Sequence, residues 1–237
     1  MLAVFVNMGT VFAGSLLGIL FKNRISAGIQ NALMKALALC TAVIGISSAI
    51  ATAELLCVII CLVIGTAFGE FLRIDDAIEN AGEFIKVKFF KGKVKENRFT
   101  EGFVSACILF CIGSMTIVGS LEAGINKDYS IIFAKSTMDF VSSMAFGAAM
   151  GLGVTCSVVF ILIFQGGLTL LAGLLAPVLS NAVVTEMSAV GGTILIGMAI
   201  NMLELGRERI KVANMLPAIF LPLAYFPLTS WLSGLFG

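Results

Sequence analysis

The sequence predicts an all-α polytopic membrane protein: a bundle of about eight transmembrane helices, with a range of seven to nine, and one amphipathic helix outside the bilayer. Three observations predict it. Of 237 residues, 59% are hydrophobic and only 12% are charged, whereas a soluble domain averages about 25% charged. The mean hydropathy is +1.07, and the apolar residues fall into runs of roughly 20, the length that crosses a hydrocarbon core. The basic residues are gathered into a few of the links between those runs. A soluble globular domain is excluded because it could not cover a water-facing surface, and a disordered chain because it needs low hydrophobicity and high net charge.

The runs are read in order as one membrane domain over 1–237. The first is Met1 to Phe21, with no positive stretch before it and basic residues after it, the reverse of a signal peptide; it is read as a retained helix. The others are Ala36 to Thr52, Leu55 to Leu72, Phe103 to Leu121, Ile131 to Met150, Val154 to Leu175, Val183 to Leu203 and Met215 to Phe236. Pro217, Pro222 and Pro227 recur in the last span and are expected to kink it. Gly14 and Gly18 in the first span, with the Gly-containing ends of the third and seventh, form a faint echo. It fits either an internal repeat of the transporter kind or independent small-residue packing faces, and the second reading is favoured.

Thirteen of the 15 basic residues fall in three links. Lys22, Arg24 and Lys35 lie between spans one and two; Arg73, Lys86, Lys88, Lys91, Lys93, Lys95 and Arg98 follow span three; Arg207, Arg209 and Lys211 join spans seven and eight. Eight spans put those links on one side, leaving Lys127 alone on the other and Lys135 within span five. Loops rich in Lys and Arg stay in the cytoplasm, so both termini are expected outside and the protein in a bacterial inner membrane. The polar link 73–101 repeats Ile74, Ala77, Ile78, Ala81, Phe84 and Ile85 at helical spacing. Its acidic residues Asp75, Asp76, Glu79 and Glu83 precede its lysines, an order that complements a helix dipole. Phe84, Phe89 and Phe90 beside the lysines suit an anionic leaflet. The link is a solvated connector or, alternatively, a lipid or partner dock.

Several activities are excluded or weakened. The chain has no histidine, which removes the commonest general base and metal ligand. The six cysteines lie in apolar runs; Cys57/Cys61 and Cys107/Cys111 are each one helical turn apart, but with no CxxC and no histidine they make a poor metal set. The net charge of +1 provides no field for nucleic acid. With no nucleophile–base pair, an enzyme is not expected, nor a cofactor.

The stretches Glu101-Gly102-Phe103, Leu109-Phe110-Cys111-Ile112-Gly113-Ser114-Met115, Ile117-Val118-Gly119-Ser120-Leu121, Lys135-Ser136 with Asp139, Gln165-Gly166 with Leu168-Thr169, Glu186, Ala189-Val190-Gly191-Gly192 and Asn214-Met215-Leu216-Pro217-Ala218 resemble the YdfK/YqgA-like family of bacterial membrane proteins, over nearly the whole chain. The resemblance implies a multi-pass inner-membrane protein of unassigned function. It carries no catalytic residues.

Within the bilayer the polar residues mark the candidate site. A charge at a helix centre costs roughly 2.5–3.5 kcal/mol on insertion scales. Lys135 and Asp139, four apart in span five, can pair with each other, and Ser136, Ser142 and Ser143 add oxygens to the same helix. Gln165 precedes Gly166-Gly167 in span six, and Glu186 precedes Gly191-Gly192 in span seven. Paired glycines weaken a helix by about 1 kcal/mol each, so both spans are expected to be broken there, either around a cavity or for close packing. Asn201 and Asn7 are further polar candidates. The leading expectation is a transporter or channel for a small solute, with a cation as one option. Its ion or solute site is Asp139, Lys135, Gln165, Glu186, Ser136 and Asn201 on spans five to seven. The alternative is a non-transporting scaffold or sensor acting through the 73–101 link. Expected partners are membrane lipid and a small solute or ion, with a homo-oligomer left open and no nucleic acid.

Reporter fusions test the topology. A fusion at Gly237 is expected to report the outer side, and one within Lys86–Lys95 the cytoplasm. A cytoplasmic carboxyl terminus would sink the eight-span arrangement.

Overall fold

The structure is a computed structural model describing residues 1–22, 26–90, 99–111 and 113–236. Among the described residues it holds helices and no strands. In order they are α1 (Leu2–Lys22), α2 (Ala27–Ala49), α3 (Leu55–Leu72), α4 (Ile74–Phe90), α5 (Phe99–Cys111), α6 (Ser114–Ile125), α7 (Ser130–Met150), α8 (Leu152–Cys156), α9 (Val158–Leu170), α10 (Ala172–Leu175), α11 (Asn181–Met202), a 3-10 helix (Val212–Phe220) and α12 (Pro222–Phe236). Two begin with serine caps: Ser26 accepts from the Ile29 N–H and Ser180 from the Val183 N–H, each satisfying an amide that the helix start leaves open.

Five helical stretches are long and apolar enough to cross a membrane: Leu2–Lys22, Gly28–Ala49, Leu55–Leu72, Leu152–Leu170 and Asn181–Met202. Two bent pairs raise the number to seven if each is one span, α5 with α6 at 60° and the 3-10 helix with α12 at 42°. The count of eight read from the sequence differs from this by α7. That helix has the length, 21 residues, but Lys135, Asp139 and its Ser and Thr residues lower its apolarity. The expected helix in the 73–101 link is α4; residues 91–98, with four of the link's basic residues, lie outside the described residues.

The centre of the bundle is α11, of which 72% of the spanning window is buried, against 33%, 22% and 28% for α1, α2 and α3. The outer helices show lipid-facing stripes, such as Phe5, Phe12 and Leu20 on α1 and Leu56, Ile59 and Val63 on α3. Each outer helix is joined to a later one by glycine. α1 meets α7, where a Cβ on Gly18 would stand 2.0 Å from the Met144 carbonyl oxygen and one on Gly147 2.4 Å from that of Ser15. α2 meets α11, where a Cβ on Gly45 would stand 2.7 Å from the Gly192 carbonyl oxygen and one on Gly192 2.6 Å from that of Gly45. α3 meets the 3-10 helix, where a Cβ on Gly69 would stand 1.8 Å from the Asn214 carbonyl oxygen and one on Gly65 2.3 Å from Ala218 Cα. These separations leave no room for a methyl group. They are the small-residue faces by which helices associate in lipid, the reading favoured from the sequence.

The expected breaks at Gly166-Gly167 and Gly191-Gly192 are corrected. α9 runs unbroken through the first pair and α11 through the second. The helical cost is outweighed at Gly192 by contact with α2, while at Gly167 a Cβ would meet nothing within 4 Å. The real interruptions need backbone that only glycine adopts freely: Gly113 (φ 136°) between α5 and α6, and Gly151 (φ 80°) between α7 and α8. The kink expected from the prolines of the last span is present. Pro217 lies in the 3-10 helix and Pro222 opens α12, at the first helical position, where its missing N–H costs nothing.

Substitution separates packing glycines from free ones. Gly192→Leu is expected to lower stability by at least the roughly 1–3 kcal/mol of an overpacked core. Gly167→Ala is expected to be neutral or to stabilise by up to about 1 kcal/mol. Thermal unfolding in detergent checks both; equal midpoints for Gly192→Leu and the parent would contradict the packing assignment.

Candidate functional site: a buried polar cluster between α1, α7 and α9

Lys135 and Asp139 lie one turn apart on the inner face of α7. The lysine ammonium donates to Asp139 Oδ2, and the two side chains are only 8% and 11% exposed. Ser136, between them in sequence, returns its hydroxyl to the Ile132 carbonyl at 2.7 Å, and Ser143 returns its own to Phe140 at 2.9 Å. These serines are therefore committed to the backbone of their own helix.

Gln165 on α9 is 1% exposed and Asn7 on α1 is fully buried. Asn7 Nδ2 donates to Gln165 Oε1 at 3.1 Å, and the Asn7 side chain lies beside the Asp139 carboxylate. Lys135, Asp139, Asn7 and Gln165 thus form one cluster linking three helices. It is incompletely satisfied: Asn7 Oδ1 and Gln165 Nε2 have no hydrogen-bond partner among the described residues, nor does Ser120 Oγ on α6. Exchanging O and N on both amides reverses their mutual bond and still leaves one acceptor and one donor over. Leaving such a group unpaired costs about 1–3 kcal/mol, so natural cores rarely retain one without a use for it.

The broken span stands against the same cluster. The Lys135 ammonium is 6.0 Å from the centre of the Phe110 ring, and Phe110 is in the last turn of α5. There its carbonyl accepts from Thr116 Oγ1, across the break, at 3.3 Å. Irregular backbone at membrane depth is tolerated where it is packed in protein or lines a cavity. The interruption expected in spans six and seven is therefore found in the α5–α6 pair, beside the charges.

Two of the residues proposed from the sequence do not join this cluster. Glu186, on α11 and 1% exposed, faces the α2–α3 turn. Its Oε1 accepts from the N–H groups of Ala53 at 2.7 Å and Glu54 at 3.1 Å, and its Oε2 from Thr52 Oγ1 at 2.6 Å. It serves as the cap that the start of α3 otherwise lacks, since Glu54 makes no side-chain capping bond of its own. Asn201 closes the other end of α11, donating to the Ile210 carbonyl at 2.7 Å and accepting from the Ile210 N–H at 2.9 Å. Both are joints.

A third joint carries no hint in the periodicity. Asn214 accepts from the Asp75 N–H at 2.6 Å and donates to Glu70 Oε2 at 2.5 Å, while Asp75 Oδ1 accepts from the Ala213 N–H at 3.2 Å. Burial holds the Asp75 carboxyl above its ordinary value, with Arg209 pulling the other way. Arg209 also bonds Glu79, so α4 is fastened to the bundle. Cys57 and Cys61 are in contact, Sγ to Sγ at 3.8 Å, and among the described residues no three potential ligands gather to hold a metal ion.

The match to a family model is described as "Protein of unknown function (DUF554)" and covers residues 2–226. The chain belongs to the DUF554 family. Among its relatives is "Uncharacterized membrane protein YdfK" of Bacillus subtilis (strain 168), 25% identical over 228 residues, covering 94% of each chain. Another is "Uncharacterized protein YqgA" of Escherichia coli (strain K12), 28% identical over 219 residues and 92% of each chain. No solved structure matches this DUF554 protein significantly. The family and the apolar helices together make it a membrane protein, as the sequence resemblance implies.

Glu186 provides a test of the joints. Glu186→Ala leaves the N–H groups of Ala53 and Glu54 without their acceptor and is expected to cost roughly 1–3 kcal/mol. Glu186→Gln, which keeps an acceptor oxygen, is expected to cost less. Detergent unfolding of the two variants decides it; an Ala variant as stable as the parent would remove the capping role.

Proposed function

We propose that this DUF554 protein is a transporter or channel for a small solute, with an inorganic cation or proton as its first candidate. Its polar site is formed by Asp139, Lys135, Gln165 and Asn7. The observation that carries the reading is the combination of a buried charge pair with leftover hydrogen-bonding capacity. A purely structural pair needs only the partner it has, and ionisable residues inside a membrane domain ordinarily mark ion or solute paths. The broken α5–α6 span supports it, because discontinuous helices beside a charged group are how many transporters present backbone to their cargo. In this reading Lys135 is the internal counter-charge, Asp139 takes the cation or proton, and the two amides orient it. The site moves from spans five to seven, as read from the sequence, to spans one, five and six. The chain carries out no covalent chemistry, and its ordinary surroundings are the lipids of a bacterial inner membrane, with both termini outside.

The alternative of a scaffold or sensor working through the amphipathic link is weaker, because α4 is held to the body by Asp75, Glu79 and their partners and does not present a free arm.

Flux separates a working pair from an inert one. Lys135→Met with Asp139→Leu is expected to fold, since a paired buried charge can often be replaced by apolar groups at little cost, and to lose flux. Asp139→Asn alone is expected to lose flux and also to cost about 3–5 kcal/mol, because it strands the lysine. Proton, sodium and potassium flux in proteoliposomes, with thermal stability in detergent, checks both. Full flux in the double variant would take the pair out of the site.

A further inference from the structure

A fourth helix brings a leftover group to the level of the charged pair. Ala3 of α1, Ala123 of α6 and Ile132 of α7 pack into a small apolar layer, all of them fully buried. α1 runs alongside α7 in the same direction, with Gly14 against Phe140 and Ser143 and Gly18 against Met144 and Ala148. α6 runs the opposite way, because only residues 126–129 join it to α7, and a short link makes antiparallel neighbours. One turn from the apolar layer, in one direction, therefore come Asn7 on α1, Lys135 and Ser136 on α7, and Ser120 on α6. Ser120 is fully buried, and its Oγ has no hydrogen-bond partner among the described residues. Gly124, one turn from Ser120, meets the Thr169 carbonyl of α9, and Gln165 is one turn from Thr169. Three unpartnered atoms on three helices thus lie at the level of the pair: Asn7 Oδ1, Gln165 Nε2 and Ser120 Oγ.

This set suits a proton better than a metal ion. A hard metal ion takes about six oxygen ligands. The side-chain oxygens free to serve here are those of Asp139, Asn7 and Ser120, and the Lys135 ammonium already lies on Asp139. Among the described residues no three acidic or thiol groups gather to hold a metal. A proton needs one acceptor and no coordination shell. We propose that the cargo of this site is a proton, taken by Asp139, and that Asn7 Oδ1 receives the Lys135 ammonium while Asp139 is neutral. The proposal rests on the transport reading and narrows it. The proton leaves a hydronium ion, whose O–H bond breaks as one forms on the carboxylate, and no other covalent bond changes. Neutral Asp139 no longer balances Lys135, so the ammonium turns to the acceptor left open on Asn7 and returns when the proton departs. Gln165 Nε2 and Ser120 Oγ hold the water that delivers the proton, since a buried water bonds to two to four polar groups. Each leftover atom therefore has a use when the site is loaded. The helices packed on α7 bring few rivals. Their interior titratable groups are the thiols of Cys107 and Cys111 on α5 and Cys156 on α8, whose ordinary titration lies well above that of a carboxyl. Lys35 and Cys40 on α2 are exposed, Glu122 on α6 bonds Asn126, and Lys22 and Glu101 lie at the far ends of α1 and α5.

The test uses the full chain in liposomes that enclose a pH-sensitive dye, with radiolabelled sodium and rubidium as the metal-ion probes. An external acid pulse is expected to acidify the lumen faster with the parent than with Lys135→Met/Asp139→Leu, and neither metal ion is expected to enter. No dye response in the parent overturns the proton as cargo. If sodium or rubidium enters instead, the transport reading stands without it; if none of the three enters, both fall. Infrared difference spectra across a pH titration in detergent read the site directly, through the carbonyl band of a protonated carboxyl group that the double variant lacks. Asn7→Leu removes the acceptor offered to the ammonium and is expected to move the midpoint of that band to lower pH by about one unit, a tenfold weaker hold on the proton. An Asn7 that only donates to the carboxylate would move it to higher pH. An upward shift, or none, overturns the role given to Asn7. Should Asn7→Leu fail to fold, Ser120→Ala, which removes only a hydroxyl, is expected to slow the dye response, and an unchanged rate would overturn the delivery path.

Discussion

Backbone-to-backbone approach through glycine is the constraint on which the rest of this bundle depends. In a bilayer an apolar side chain gains little by leaving lipid for another helix, so association rests on dispersion between closely fitted surfaces and on polar contacts. Here α1, α2 and α3 each reach a later helix through glycines whose missing side chains bring the partner's carbonyl or amide to within contact distance. The consequence for function is direct. Gly14 and Gly18 lay α1 against α7, and it is this approach that brings Asn7 into contact with Gln165 and Asp139. A wider helix pair would leave the charged pair of α7 facing apolar side chains alone.

The polar residues of the interior divide into two kinds that composition does not distinguish. Glu186, Asn201, Asn214 and Asp75 end in backbone amides or carbonyls of turns and helix starts. Each replaces water for groups that a turn leaves open, which is costly to neglect in a low-dielectric interior. Asn7 and Gln165 face each other, and two amides in a single mutual bond leave one donor and one acceptor over. That surplus, beside a charge pair and a broken helix, sets this cluster apart from the joints, whose hydrogen bonds end in backbone.

Much of this could be read in advance, and the misreadings have physical causes. The i, i+4 spacing of Lys135 and Asp139 placed them on one face, and an unpaired charge in lipid is too costly for them to do other than meet. The proline spacing foretold the bend before α12. Glu186 was grouped with Asp139 because both are acidic residues in spans, but its carboxylate serves Thr52, Ala53 and Glu54, more than 130 residues earlier in the chain. The double glycines suggested weak helix, yet a glycine's effect is set by what lies opposite it. At Gly192 that is the backbone of α2, and the contact stabilises more than the propensity costs.

The membrane class, the apolar runs and the amphipathic α4 were determined by the sequence itself, because hydropathy and periodicity are properties of neighbouring residues and survive any arrangement of the helices. Tertiary structure alone decided that Asn7 and Gln165, 158 positions apart, meet beside Lys135 and Asp139, that Glu186 and Asn201 lie elsewhere, and that the break falls at Gly113. Those outcomes depend on distances between helices, which are set by the fit of one glycine-lined face against another, and a pairing of faces is not encoded in either face alone.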